Sequence, residues 1–165
     1  MGIIRRDQTM RAHLYMALAA VAAVYGIYAV ATIDRRTDEQ RIRSMVQSAA
    51  ESIEKRDLSG VISCVSRNYE DEAGLNYDRL RVLAAQALRD EARFTASAEI
   101  RSLRVAGEKA VVELHAVIKG ADGSEVYNRD VILLLDKEPT RHMLVAPTKV
   151  WRVVSTRNLG IDYEM

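Results

Sequence analysis

Few side chains in this sequence are of a type that does chemistry, and they are scattered. Tyr69, Asp71, Tyr77, His115, Tyr127 and Asp130 are the groups whose polarity and expected strand or loop position suit a pocket, with Trp151 beside them as an aromatic surface. A carboxylate or imidazole held opposite a phenol could act as a general acid-base pair. Each residue also has a plainer reading. Asp71 sits between Glu70 and Glu72, an acidic run that is normally a solvated loop. His115 alternates with Glu113 and Val117 opposite the apolar set Leu114, Ala116 and Ile118, so it faces away from the core. Tyr69 and Trp151 suit core anchors with a wet polar tip, and Asp130 beside Arg129 suits a surface charge pair.

Several reaction classes lack their signatures. No segment matches a phosphate loop, a dinucleotide fingerprint, a serine nucleophile elbow or an H-E-x-x-H metal helix. His13, His115 and His142 lie far apart, and Cys64 is the single cysteine, so neither a metal site nor an intrachain disulfide is expected. No cofactor is expected either. The whole chain carries a formal charge of +1, with three arginines and one aspartate before residue 14 and interspersed signs after it. Such a balance lacks the basic footprint of a nucleic-acid binder.

The strongest feature is an uncharged apolar run from Leu14 to Ile33, bracketed by Arg11 and by Asp34, Arg35 and Arg36. Twenty helical residues span about 30 Å, the hydrocarbon thickness of a bilayer. The run reads as an uncleaved single-pass anchor, with residues 1–13 as a short tail and 34–165 as one soluble domain. The alternatives are a secretion signal cut after Ala31, since Ala29-Val30-Ala31 follows a basic front, and a buried soluble helix, which a run without a polar face disfavours. Arginines flank both ends, so the positive-inside rule does not orient the span. The layout of basic front, apolar run and folded domain places the N-terminus in the cytoplasm and the domain outside, in the periplasm of a Gram-negative cell. Ala19, Ala22, Gly26 and Ala29 share one smooth helical face on which two spans could pack.

Beyond the run, Thr37 and Gln40 form a capping box that opens a helix with Ile42, Met45, Val46, Ala49, Ala50 and Ile53 on one face. Asp57 caps a short second helix carrying Leu58, Val61, Ile62 and Val65, with Cys64 buried near it. A third helix follows the polar stretch 68–76, its stripe being Leu80, Leu83, Ala84, Ala87 and Leu88. From Phe94 the period changes to two, and it slips at Ser102 as a bulge would make it slip. Turns at 106–109 and 120–123 separate strands at 110–119 and 125–136. The last strands are expected near 143–146 and 149–157. Helices followed by an antiparallel meander define an α+β domain of three helices on about four to five strands.

This order resembles the nuclear transport factor 2-like superfamily, also called cystatin-like or ketosteroid-isomerase-like. The segments that carry the likeness are KRDLSGVISCVSRNYEDEAG from Lys55, NYDRLRVLAAQAL from Asn76, VAGEKAVVELHAVI from Val105 and VWRVVS from Val150. The resemblance implies a curved sheet wrapped into a cone around the long helix. It departs from the pattern between Lys137 and Thr148, where the connection is longer than the usual tight hairpin. The fold hosts isomerases, dehydratases, binding domains and inert scaffolds, so it does not choose a function. Membrane-tethered proteins of similar layout occur as components of bacterial envelope machines. The expected role is a non-catalytic interaction protein with a protein partner or a second copy of itself; the alternative is a small-molecule binder, lyase or isomerase using the cone.

Overall fold

The computed structural model describes residues 36–89, 94–142 and 146–160. The apolar run 14–33, its small-residue face at Ala19, Ala22, Gly26 and Ala29, and His13 lie outside them. No helix among the described residues is long and apolar enough to cross a membrane. The chain divides into two units, one of them Arg36–Glu138 with Lys149 onward. Of the other unit the described part consists of strand residues 139–142 and 146–148.

Helix α1 (Asp38–Glu54) begins at the expected capping box: the Gln40 N–H donates to Thr37 Oγ1 at 3.3 Å, and the Thr37 N–H donates to the Gln40 side chain at 3.0 Å. Ile42 and Val46 are buried and Met45 packs beside them, whereas Arg43, Gln47, Glu51 and Glu54 line the opposite, more open side. The chain turns out of α1 at Arg56 (φ 57°) and enters α2 (Leu58–Ser63). Asp57 holds the N-cap position of α2, but contrary to expectation its side chain makes no capping bond. Gly60 brings α2 against α1, since a Cβ there would collide with Ser52 Oγ and lie 2.7 Å from Asp57 Oδ2. Helix α3 (Tyr77–Ala87) is capped by Asn76, whose side chain accepts the Arg79 N–H at 3.0 Å.

Four antiparallel strands follow in the spatial order β1-β2-β3-β4, forming a curved sheet. Strand β1 (Thr95–Ala106) pairs with β2 (Lys109–Lys119) around a two-residue turn, with Gly107 at φ 65°. The register shifts between Ile100 and Ser102, at the slip read from the sequence. Arg101 is the extra residue. It lets Ile100 and Leu103 both face inward, opposite Leu114 and Val112. Strand β3 (Glu125–His142) pairs with β2, placing Val131 opposite Leu114 and Leu135 opposite Ala110 on the same inner face.

The end of the sheet departs from the sequence expectation. β3 continues six residues past Asp136, the strand expected near 143–146 lies largely outside the described residues, and β4 (Ala146–Arg157) contains the strand expected at 149–157. Apolar alternation fades there, from Lys137 onward. Four strands are described. Along its outer edge β4 meets the segment after α2: Ser66 N–H donates to Val153 O at 2.9 Å, Glu70 N–H to Val154 O at 3.1 Å, and Val153 N–H to Cys64 O at 2.8 Å. Two successive carbonyls facing one edge offset the strand by a residue. The buried side accordingly passes from Trp151 and Val153 to Thr156.

Candidate functional site

A cluster of aromatic and aliphatic side chains is buried between α1 and the sheet. Trp151, Tyr69, Tyr77, Leu75, Val112 and Leu135 are all buried. Trp151 Nε1 donates to Asp38 Oδ1 at 3.2 Å, and Lys137 Nζ donates to Asp38 Oδ2 at 2.8 Å while lying 5.1 Å from the Trp151 ring centroid. This clasp keeps the Asp38 carboxyl below its ordinary range, chiefly through the Lys137 hydrogen bond. The Tyr69 hydroxyl and Thr156 Oγ1 are 2.6 Å apart, and burial raises the phenol. Tyr77 is covered by the Arg67 guanidinium, 4.5 Å from its ring centroid. All three aromatics are therefore committed to packing.

Asp71 organises a loop. Its Oδ1 accepts the N–H groups of Ala73 at 2.9 Å and Leu75 at 2.8 Å, closing a turn completed by Gly74 at φ 77°. Glu72 pairs with Arg157 at 2.8 Å. Tyr127 lies on the inner face of β3 and donates to Leu159 O at 2.9 Å, with burial raising its phenol. Burial likewise pushes the Cys64 thiol up to about 11, and its Sγ–H donates to Val61 O.

His115 and Asp130 are brought together, though on the outer face of the sheet. Register places them opposite each other on β2 and β3, and His115 Nδ1 lies 2.7 Å from Asp130 Oδ1. A carboxylate only accepts, so Nδ1 carries the hydrogen. Arg101 Nη1 approaches both Asp130 oxygens at 2.8 Å, reaching over from the bulge. The hydrogen bond from His115 is the largest influence holding Asp130 below the usual carboxylate range. Around this network the outer face carries half-buried Val111, Val117, Ile132 and Leu134, with Arg104 paired to Glu113 at 2.7 Å. Among the described residues no three His, Cys, Asp or Glu side chains are grouped to hold a metal.

A groove that sequence reasoning missed runs between α1 and β1, with a volume of about 390 Å³. Val46, Ala50, Ala98 and Ile100 contribute its apolar part, and Arg43, Gln47, Glu51 and Glu54 its helical rim. None of the seven candidates lines it. Its residues are small or of ordinary helix-surface type; the available signal was the run of small residues Ala96, Ser97 and Ala98.

No family profile and no curated protein matches the sequence. Solved structures share the fold. A protein of unknown function with a cystatin-like fold from Nostoc punctiforme superposes with TM-score 0.54 at 12% identity, over 72% of this chain and 87% of that one. A ketosteroid isomerase-like protein from Erwinia carotovora atroseptica gives 0.53 at 14% identity, over 73% and 95%. Aln2 from a Streptomyces species gives 0.57 at 12%, over 74% and 91%. The domain thus has the cystatin-like, nuclear transport factor 2-like α+β fold.

Proposed function

We propose that this chain is a non-catalytic interaction protein, held at a membrane by residues 14–33 and presenting its nuclear transport factor 2-like domain on the extracytoplasmic side. The observation that carries this reading is that the candidate groups are not assembled: Trp151, Tyr69 and Tyr77 are buried and engaged with Asp38, Thr156 and Arg67, while His115 and Asp130 face the opposite side of the sheet. That outer face combines half-buried aliphatics with a charged centre, a composition suited to a partner surface. The address rests on the length and flanks of the apolar run.

Full-length protein extracted from membranes in mild detergent should migrate with a partner or a second copy. Val117→Lys combined with Ile132→Lys should release it while Trp151 fluorescence stays native. A partner-free monomer that binds a metabolite would overturn the reading and favour a small-molecule binder, lyase or isomerase. Protease added to intact spheroplasts should digest the domain; protection would refute the orientation.

A further inference from the structure

Among the described residues strand β1 is an edge of the sheet, and the groove beside α1 runs along that edge. Direction within the strand fixes which main-chain groups point outward. The Ala96 N–H donates to Glu54 Oε1 at 3.0 Å, away from β2. Main-chain direction alternates with period two, so the N–H and C=O groups of Ala98 and Ile100 also point away from β2, into the groove. Neither residue has an edge partner among the described residues. Glu54 thus covers one end of the edge and leaves the next two positions open.

We infer that this groove accepts an extended segment of a partner protein, added to the sheet beside β1. An edge strand flanked by a helix supplies both elements of strand addition: main-chain groups for pairing, and a surface for alternate side chains. Here that surface is Ala50, Ala98 and Ile100, which admits small or apolar side chains. Charge complementarity sets the rest of the partner's chemistry. Glu51 is held by Lys55 at 3.3 Å and Gln47 at 3.4 Å, and Glu54 by Ala96. Arg43 has no ion pair among the described residues, and it lies at the end of α1 remote from the Glu54–Ala96 contact. The partner segment carries a carboxylate at that end. From Ala98 to Ile100 the open edge runs about 7 Å at ~3.3 Å per residue, room for about three residues of an added strand.

The groove lies apart from the outer face that carries His115 and Asp130. Its test uses full-length protein in nanodiscs and a fluorescent heptapeptide of alternating threonine and valine that ends in aspartate. Anisotropy should show saturable binding. Ala98→Pro deletes the outward N–H at a position where an edge strand tolerates proline, and it should weaken binding about tenfold, as should methylating alternate peptide amides. R43E should cost about threefold, recovered by a probe ending in lysine. Val117→Lys with Ile132→Lys should leave probe binding unchanged, which separates failure here from failure of the outer-face proposal. Absence of binding, or binding indifferent to both A98P and amide methylation, would overturn the inference. So would disulfide-linked dimers of an Ala98→Cys variant at the same protein concentration, which would assign the edge to a second copy.

Discussion

Removing the Asp38 carboxylate tests whether the clasp with Lys137 and Trp151 fastens α1 to the sheet. In Asp38→Ala the indole N–H of Trp151, 5% exposed, loses its acceptor, and the Lys137 ammonium, with 19% of its side chain exposed, loses its counter-charge. A hydrogen bond to a charged group contributes about 1.5–3 kcal/mol, and an orphaned buried donor costs a similar amount. Because Asp38 is one-third exposed, the low end of each range applies. Loss of an acidic residue from the first turn of α1 adds about 0.3–1 kcal/mol. The total expected is about 3–4 kcal/mol. Asp38→Asn keeps an acceptor for Trp151 and should cost about half as much. Trp151 is the sole tryptophan, so its fluorescence during urea unfolding reads the clasp directly. At a urea slope of about 1.5–2 kcal/mol/M the midpoint of Asp38→Ala should fall by about 1 M or more. The folded-state pKa of Asp38 is depressed, so its stabilising contribution is present above the unfolded value near 4 and is lost as pH falls through the folded value. The difference between wild type and Asp38→Asn should therefore shrink below about pH 4. A loss under about 0.5 kcal/mol for Asp38→Ala, or a difference that does not change with acid, would refute this account of the clasp.

Other contacts yield separate expectations. Gly60→Ala should destabilise by about 1–3 kcal/mol in urea unfolding through collision with Ser52, and adding Ser52→Ala should recover part of the loss. Tyr69→Phe should cost about 1–2 kcal/mol by stranding the buried Thr156 hydroxyl, whereas Tyr69→Phe with Thr156→Val should be closer to wild type in thermal melts. With its thiol pushed up to about 11, Cys64 should react with a chromogenic disulfide at about pH 8 far more slowly folded than in urea; equal rates would count against its burial.

Local chemistry made much of the fold legible. Thr37 and Gln40 announced the start of α1, Gly107 the first hairpin, and the broken alternation at Ser102 the bulge, because each signal lies within a few residues of the structure that it causes. Contacts between distant residues were not legible. Asp38 meets Lys137 and Trp151 across about a hundred residues, and nothing beside any of the three marks the others. His115 and Asp130 stood out individually as polar residues. Their pairing depended on the register of the second hairpin, which itself slips between Ile118 and Lys119. The α1–β1 groove escaped notice because it depends on main-chain direction at an edge, a property that residue type does not encode. Asp71 looked like solvated acid, yet its carboxylate organises a loop through Ala73 and Leu75.

The position of the clasp also has a mechanical meaning. Asp38 is the first residue of α1, two residues after the described chain begins at Arg36. Tension entering from the N-terminal side meets it before any other tertiary contact on that helix. Since Asp38 is tied to β3 through Lys137 and to β4 through Trp151, a pull on the chain is shared with the sheet instead of unwinding α1 turn by turn. Under the proposed attachment through residues 14–33, α1 would therefore resist fraying at its first turn.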